Sequence, residues 1–325
     1  MPEPIRVVTR FAFEPHEIQR LESAVPGRAV EIAVCRTEEE FHDRLKTANV
    51  IFGAPRGADL TFAPNLQWIQ SSNAGVENLD PEIRASPVVL TNYAGVFAPG
   101  IAETSFGLLL SLTRGLNRYY IPQFLRREWK PVGNAKSPDH VEIAGRAMGI
   151  VGLGGIGRAI ALTAHHGFGM RVIAIDVRTG DCPDYVAELH PVSWFGDLLA
   201  QADVVVAAAP LTPETQQMFN ESAFRRMKKN AYFLAVSRGQ LFDDIALVKA
   251  LQEGWIAGAG LDVFPHEPPP PSHPIFDCPN VVMSMHTSGW GPDRQIRLID
   301  FFRDNLQRFA AGKGLRNVVD KQLGF

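Results

Sequence analysis

The chain has 325 residues, of which 46% are hydrophobic and 21% charged, and its formal net charge is −3. The length is sufficient for two globular domains, and the net negative charge argues against nucleic-acid binding. Three cysteines, none in a C-x-x-C pair, argue against a disulfide framework and against a zinc site, so no metal is expected.

The apolar runs of the chain show no sign of export or of a membrane span. The N-terminus lacks the apolar core of a signal peptide. The longest apolar run, residues 101–112, contains Glu103 and is too short to cross a bilayer. Together with the few cysteines, these features predict a reducing, cytoplasmic location without a membrane partner.

The N-terminal third alternates short apolar runs with polar stretches at helical spacing. This pattern predicts strands at residues 5–8, 29–34, 50–52, 66–70 and 88–91, and helices at 14–24 and 38–47. Strands that alternate with helices imply a parallel sheet covered on both faces.

A long helical segment follows at residues 102–129, and Pro122 is expected to interrupt it. Its apolar positions, among them Phe106, Leu109 and Leu116, recur at helical spacing. Core packing explains this pattern, and so does a linker helix that also meets a second subunit. Both interpretations stay open at this point.

From residue 145 onwards strands and helices alternate again, with strands predicted at 148–151, 171–176, 203–208, 231–236, 257–262 and 281–285. This number of strands matches the doubly wound sheet that binds dinucleotides. The last segment, 292–311, has the apolar spacing of an amphipathic helix. It cannot be a strand of that sheet, but it can pack back on the first domain.

A G-x-G-x-x-G pattern begins at Gly152, between a predicted strand and a predicted helix. In this context Gly152 permits a tight turn, Gly154 lets the backbone approach a pyrophosphate, and Gly157 lets helix and strand pack closely. The start of the helix, with Gly155 and Ile156, supplies free N–H groups and partial positive charge to the phosphates. The alternative is a glycine-rich turn in an α/β domain that binds nothing.

Asp176 ends the next predicted strand, where an acid commonly bonds the ribose hydroxyls. A carboxylate there repels a 2′-phosphate, so the sequence favours NAD over NADP as the cofactor. Arg178 weakens this preference, because an Arg nearby can accept that phosphate. A strand-end cap is the alternative role of Asp176.

The type of reaction is indicated by three residues in the later part of the chain: Arg238, Glu267 and His286. Each follows a predicted strand, and ligands of open α/β sheets bind outside the carboxyl ends of strands, so the three can converge. An Arg can hold a planar carboxylate, and a His paired with a Glu can hold and deliver a proton near neutral pH. Beside a nicotinamide ring, this set predicts reversible reduction of a 2-oxo acid. Taken singly, each residue has an ordinary structural explanation.

Short sequence motifs that match a known family are distributed over most of the chain. They lie at residues 66–71, 74–76, 101–103, 152–157, 210–215, 237–239, 260–264, 267–268 and 279–282. Together they resemble the D-isomer-specific 2-hydroxy acid dehydrogenase family. The resemblance implies an α/β protein of two doubly wound parallel-sheet domains. A Rossmann coenzyme domain at 101–290 would be inserted in a flavodoxin-like substrate domain made of 1–100 plus 291–325. It also implies a homodimer.

The resemblance further implies that the backbone at Ala74, Gly75 and Val76 binds the substrate carboxylate together with Arg238. Two residues depart from the common pattern. Met285 stands before His286 where Pro is frequent, and Trp290 stands where smaller residues are common. A large indole at Trp290 is expected to line the substrate site and to set substrate size, with a core or interface Trp as the alternative.

On the cofactor side, the resemblance implies that Pro210 and Thr215 lie along the dinucleotide and that Asp262 contacts the nicotinamide amide. Formate dehydrogenases of this fold carry Gln in place of the acid, so Glu267 argues against them. The sequence ends at Phe325 without an appended regulatory domain, which makes a phosphoglycerate dehydrogenase with such a domain a poorer match.

The sequence therefore predicts an oxidoreductase that transfers a hydride between NAD(H) and a 2-oxo acid/D-2-hydroxy acid pair, with a substrate of the glyoxylate or hydroxypyruvate type. The alternative is an NAD-sensing binding protein of the same fold, similar to transcriptional co-repressors, with weak or no dehydrogenase activity. Domains like those of S-adenosylhomocysteine hydrolase or alanine dehydrogenase are weaker alternatives, because they leave the Arg–Glu–His order unexplained.

Overall fold

A computed structural model describes residues 2–133 and 140–325, which form two compact units. The first unit consists of Met1–Val96 and Gly291–Phe325, and the second of Phe97–Trp290. The assignment of these units as substrate and coenzyme domains stays a prediction. Within the described ranges, no helix combines the length and the apolar character needed to cross a membrane.

The first unit is built on a five-stranded parallel sheet with the strand order β2-β1-β3-β4-β5. The strands are β1 (Ile5–Thr9), β2 (Val30–Val34), β3 (Val50–Phe52), β4 (Trp68–Gln70) and β5 (Val89–Thr91). The helices between them are α1 (Pro15–Glu22), α2 (Glu38–Leu45) and α3 (Pro81–Ala85). This is the strand order of flavodoxin-like folds, so the predicted class is confirmed for this unit.

The second unit is built on a seven-stranded parallel sheet with the order β12-β11-β10-β9-β6-β7-β8. The strands are β6 (Ala147–Val151), β7 (Arg171–Ile175), β8 (Glu188–His190), β9 (Val204–Ala207), β10 (Tyr232–Ala235), β11 (Gly258–Leu261) and β12 (Val281–Met283). The helices are α4 (Ala98–Thr113), α5 (Ile121–Leu125), α6 (Gly155–Phe168), α7 (Phe195–Gln201), α8 (Glu221–Arg226) and α9 (Asp244–Gln252). The order of the first six strands is that of the Rossmann fold, with a seventh strand added at the β12 edge.

The C-terminal helix α10 (Asp293–Ala310) belongs to the first unit. Its fully buried Phe302 packs against two aromatic residues of the five-stranded sheet, with ring centroids 4.8 Å from Phe52 and 5.5 Å from Trp68. The amphipathic pattern of this segment therefore places its apolar face on the core of the N-terminal unit.

Three sequence-based expectations about elements were wrong. The long helical segment is interrupted at Gly115, which has a φ of +66°, and not at Pro122, which lies in the first turn of α5. A π-helical turn, Leu116–Tyr120, joins the two helices. Strand β8 was not predicted, because it is a short, half-buried edge strand that carries Glu188 and His190. Strand β12 ends at Met283, so the residues up to 286 form a loop.

Candidate active site

The residues singled out in the second unit follow the carboxyl ends of its parallel strands. The order of the sheet reverses between β6 and β9, which are neighbours although β7 and β8 lie between them in sequence. Loops at such a switch point flank the crevice in which open α/β sheets bind their ligands. The glycine loop follows β6, and the segment with Pro210 and Thr215 follows β9. The glycine loop and the segment with Pro210 and Thr215 therefore lie beside this switch point.

The glycine loop requires glycine at two positions for steric reasons. Gly152 has a φ of +94°, and a Cβ added there would lie 2.6 Å from the backbone of Ala209. A Cβ on Gly157 would lie 2.1 Å from the carbonyl oxygen of Gly152, so any side chain would push α6 away from β6. These glycines let the loop and the start of α6 approach the strands closely.

Gly154 differs from the other glycines, because its backbone is extended and a Cβ there would meet nothing within 4 Å. Neither conformation nor internal packing demands glycine at this position. Because Gly154 has no side chain, the space beside the N-terminus of α6 stays open. The amides of Gly155 and Ile156 begin the helix at this point. Orphan N–H groups beside open space fit a pyrophosphate, so the residues present suit a dinucleotide.

Asp176 follows directly after β7 and is hydrogen-bonded to the glycine loop. Its Oδ2 accepts from the backbone N–H of Leu153 at 2.7 Å, and its Oδ1 accepts from the backbone N–H of Arg178 at 2.8 Å. The strand-end cap considered from the sequence is therefore real. It does not exclude ribose binding, because a carboxylate has about four acceptor positions and the described part of the chain occupies two of them.

The segment after β9 is held in shape by its own threonine. The hydroxyl of Thr215 donates to the carbonyl oxygen of Pro210 at 2.7 Å and accepts from the backbone N–H of Thr212 at 2.8 Å. These bonds close a tight turn next to the switch point and fix the position of Pro210. The roles of Pro210 and Thr215 along the cofactor stay predictions.

Glu267 and His286 are brought together although they lie 19 residues apart in the chain. The distance between Oε2 of Glu267 and Nδ1 of His286 is 2.8 Å, and both side chains are partly exposed. Oε1 of Glu267 accepts from the backbone N–H of Phe264 at 2.8 Å, which fixes the carboxylate beyond β11. The imidazole therefore has one nitrogen held by an anchored carboxylate, while the ring remains accessible to solvent.

The loop that carries His286 is organised by the buried carboxylate of Asp262. Its Oδ1 accepts from the hydroxyl of Ser284 at 2.7 Å and from the backbone N–H groups of Thr287 and Ser288 at 3.1 and 3.2 Å. Its Oδ2 accepts from the hydroxyl of Ser288. The carbonyl oxygen of Asp262 accepts from the backbone N–H of His286 at 2.8 Å. Asp262 thus fixes the chain both before and after His286.

This organising role was missed in the sequence, where Asp262 was expected to contact the nicotinamide amide. The contact with the nicotinamide amide stays a prediction. In this structure both carboxylate oxygens of Asp262 accept hydrogen bonds from the loop that carries His286. The usable signal was the pair Ser284 and Ser288, two hydroxyl donors that flank a His shortly after a strand.

Arg238 lies three residues beyond the end of β10, the strand that pairs with β11 in the sheet. Its Nη1 donates to the carbonyl oxygen of Ser237 at 2.8 Å, and the side chain is half-buried. The hydroxyl of Ser237 donates to the carbonyl oxygen of Ala207 at 3.2 Å, which ties the ends of β10 and β9 together. Arg238 therefore stands on a well-anchored strand end.

Ala74, Gly75 and Val76 lie in the first unit, in the loop of residues 71–76 that follows β4. The loop has no regular secondary structure, and Val76 is buried while Ala74 and Gly75 are half-buried. Within residues 2–133 and 140–325, no hydrogen bond from the backbone N–H of any of these three residues is found. Consecutive N–H groups of this kind suit an anion.

Trp290 is 71% exposed and Met285 is 76% exposed, so the loop with His286 carries two large apolar side chains at its surface. The backbone N–H of Trp290 donates to the carbonyl oxygen of Thr287 at 2.9 Å, which closes a turn directly after His286. Such exposure argues against the alternative that Trp290 is a core residue of its own unit.

Comparison with known proteins decides the family. The family described as D-isomer specific 2-hydroxyacid dehydrogenase, NAD binding domain, matches residues 106–288. A glyoxylate reductase of Korarchaeum cryptofilum is 36% identical over 265 residues, which cover 80% of this chain and 78% of that protein. The chain belongs to the D-isomer-specific 2-hydroxyacid dehydrogenase family. The resemblance noted from the motifs is confirmed, and the protein is an oxidoreductase.

Two solved structures show how well the fold agrees. A D-isomer specific 2-hydroxyacid dehydrogenase family protein of Aeromonas salmonicida superposes with a TM-score of 0.77 at 28% identity, covering 98% of this chain and 99% of that one. A dehydrogenase of Xanthobacter autotrophicus, solved with NADPH and MES, reaches a TM-score of 0.83 at 24% identity and full coverage of both chains. The match to the NAD-binding domain of the family supports a nicotinamide cofactor for this chain.

Proposed function

We propose that this dehydrogenase reduces a short 2-oxo acid to the D-2-hydroxy acid with NADH and catalyses the reverse oxidation with NAD. The 2.8 Å contact between Glu267 and His286 is the observation that carries the proposal. Because the other oxygen of Glu267 is bound by the N–H of Phe264, the carboxylate can hold the imidazole in one orientation. A positioned His of this kind is suited to general acid–base catalysis.

In the proposed reduction, His286 donates the proton from Nε2 to the carbonyl oxygen of the substrate. No hydrogen bond to Nε2 is found among the described residues, so this nitrogen is available. Glu267 accepts from Nδ1–H, which stabilises the charged ring before the transfer and keeps the remaining proton on Nδ1 afterwards. NADH, held by the amides at the start of α6, would supply the hydride for the carbonyl carbon. In the reverse direction, neutral His286 accepts the proton of the hydroxyl group.

Arg238 and the backbone amides of Ala74, Gly75 and Val76 are proposed to bind the carboxylate of the substrate. An Arg guanidinium offers two parallel hydrogen bonds to a carboxylate and, placed near the carbonyl, stabilises the negative charge that develops on its oxygen. The amides of the 71–76 loop add donors that carry no formal charge. Together these groups select a 2-oxo acid over a simple ketone.

The cofactor is proposed to be NAD rather than NADP. The amides at the start of α6, with Gly154 beside them, would hold the pyrophosphate, and the free acceptor positions of Asp176 would bind the ribose hydroxyls. A 2′-phosphate would meet the negative charge of Asp176 at short range. Arg178 is the residue that offsets this repulsion if NADPH is used.

The proposed substrate is of the glyoxylate or hydroxypyruvate type. Small 2-oxo acids need only carboxylate and carbonyl recognition, which Arg238, His286 and the backbone of the 71–76 loop would supply. Trp290 is proposed to limit the size of the group attached to the carbonyl carbon, because its indole follows His286 by four residues and is exposed.

A second copy of the chain is the proposed partner. In the region after α4, Phe124 and Leu125 are 79% and 75% exposed, and Trp129 is 98% exposed. Large apolar side chains clustered in one short segment mark an interaction site more often than a free surface. The proposed homodimer therefore uses this segment, and we propose a cytoplasmic location in line with three free cysteines.

The test is oxidation of NADH by the purified protein with glyoxylate, hydroxypyruvate and phenylpyruvate in parallel, followed by determination of the configuration of the product. Turnover of at least one 2-oxo acid to a D-2-hydroxy acid is expected, with loss of turnover in His286→Ala. Tight NADH binding without turnover of any of them would reject the proposal in favour of a nucleotide-sensing binding protein.

A further inference from the structure

The loop of residues 71–76 is held by a neighbouring strand end. Asn92 follows directly after β5 and is buried. Its Nδ2 donates to the carbonyl oxygen of Ala74 at 2.8 Å, and its Oδ1 accepts from the backbone N–H of Ala94 at 3.0 Å. The carboxamide therefore bridges the loop after β4 and the loop after β5, with both ends of its polar group satisfied.

Other bonds hold Asn92 itself in place. Its backbone N–H donates to the carbonyl oxygen of Asn317 at 3.1 Å, and the side-chain amide of Asn317 donates to the carbonyl oxygens of Asn92 and Ala94 at 3.3 and 2.7 Å. The backbone N–H of Tyr93 donates to the carbonyl oxygen of Asn73 at 3.0 Å. Asn317 thus anchors the backbone of Asn92 from outside the 71–76 loop, and the bond from Tyr93 to Asn73 is a second tie between this strand end and that loop.

The bond to Ala74 has a direct consequence for Gly75. The carbonyl group of Ala74 and the N–H of Gly75 belong to the same planar, trans peptide unit, so they point in opposite directions. When Asn92 holds the carbonyl oxygen of Ala74, the N–H of Gly75 points away from the Asn92 carboxamide. Within the described ranges, no hydrogen bond from this N–H is found.

We infer that Asn92 is a positioning residue that aims the N–H of Gly75 at the substrate carboxylate. The inference rests on the proposed function, because it assigns a purpose to a loop whose anion is the 2-oxo acid. Without the Asn92 carboxamide, the Ala74–Gly75 peptide can rotate, and one fixed donor to the carboxylate becomes a mobile one.

The test compares Asn92→Ala and Asn92→Ser with Asn49→Ala. Asn49 is a matched control, because its Oδ1 accepts from the backbone N–H of Arg6 at 3.0 Å at the amino-terminal edge of the same sheet. For both Asn92 variants, the KM for glyoxylate is expected to rise roughly five- to tenfold, as for the loss of one hydrogen bond held equally in ground and transition states. The kcat and the Kd for NADH should change by less than about twofold.

A purely structural role would lower the thermal midpoint without separating KM from kcat. The inference is overturned if the wild-type protein turns over a 2-oxo acid and both Asn92 variants keep its KM, or if Asn49→Ala raises KM equally. Asn92→Ser retains a short polar side chain and serves as the readout if Asn92→Ala does not fold. A wild-type protein that reduces no 2-oxo acid rejects the proposed function itself, which is a distinguishable result.

Discussion

Glu267 contacts Nδ1 of His286 with one carboxylate oxygen and accepts the backbone N–H of Phe264 with the other. The acid is therefore anchored to the end of β11 before it meets the imidazole. This anchoring distinguishes a positioned acid–base pair from an incidental surface contact, because a solvated Glu would lose conformational entropy to hold the ring. The two residues should then respond differently to substitution.

Replacement of His286 by Ala is expected to lower kcat for reduction by roughly 100- to 10,000-fold, the usual contribution of a positioned acid–base group. Glu267→Gln should also lower kcat, because Gln lacks the negative charge that stabilises the protonated imidazole. The loss should be smaller than for His286→Ala, because the oxygen of Gln can still accept the N–H of Phe264. Steady-state kinetics and NADH binding check both variants, and NADH should bind each of them normally. Near-normal turnover in both would remove the pair from the mechanism.

The hydrogen bonds of Asp262 predict that it acts on the His286 loop. Asp262→Ala leaves the donors of Ser284, Thr287 and Ser288 without a buried acceptor, so it should lower the free energy of unfolding by about 1–3 kcal/mol. It should also lower kcat, because the loop that carries His286 loses its anchor. Urea unfolding and kinetics measure the two effects.

Ser284→Ala is the matched control, since it removes one donor and leaves the carboxylate in place. It should show a fraction of either effect. A kinetic defect in Asp262→Ala with unchanged stability and unchanged exchange of the loop amides would instead favour a direct contact with the nicotinamide amide.

How much of the structure could be predicted from the sequence depends on how far apart in the chain the interacting residues lie. The glycine loop and both sheets, apart from the edge strand β8, follow from local patterns, because turns and strand alternation involve neighbouring residues. The network around Asp262 joins residues more than 20 positions apart, so the local pattern of Ser284 and Ser288 around His286 indicates the donors but not their acceptor. Asn92 was missed for the same reason, since an Asn after a strand has many possible partners.

Cofactor preference is expected to depend on Asp176. Asp176→Ala should narrow the ratio of kcat/KM for NADH over NADPH, because it removes the negative charge that repels a 2′-phosphate and retains the positive charge of Arg178 two residues away. It should also cost some stability, since the N–H of Leu153 loses its acceptor. Native preference for NADPH would show that the carboxylate serves only as the cap of the glycine loop.

Acid stability of the first unit should depend on Asp59, which is buried beside Arg10 and His42. Burial favours the neutral acid, but hydrogen bonds from Arg10, from the backbone N–H of Arg56 and from His42 outweigh it and lower the pKa of Asp59. A lowered folded pKa stabilises the fold above the unfolded value of about 3.9, and that stabilisation is lost as pH falls through the folded pKa.

The measurement is the difference in unfolding free energy between wild type and Asp59→Asn as a function of pH. The difference should be constant near neutral pH and should shrink below about pH 4. Glu38, His42 and Asp59 also lie within metal-ligand reach of one another, but the guanidinium of Arg10 bonds both acids. Added divalent cations should therefore leave the thermal midpoint unchanged, and a clear rise would contradict this assignment.

Substrate size is expected to depend on Trp290, whose exposed indole follows the turn after His286. Trp290→Ala should change the ratio of kcat/KM between glyoxylate and phenylpyruvate in favour of the larger acid, since discrimination is a difference in transition-state binding. Trp255→Ala is the matched control, because that indole packs against the guanidinium of Arg225 and donates its N–H to Glu253. Equal loss of activity on both acids, or a lower thermal midpoint alone, would make Trp290 a structural residue of its loop.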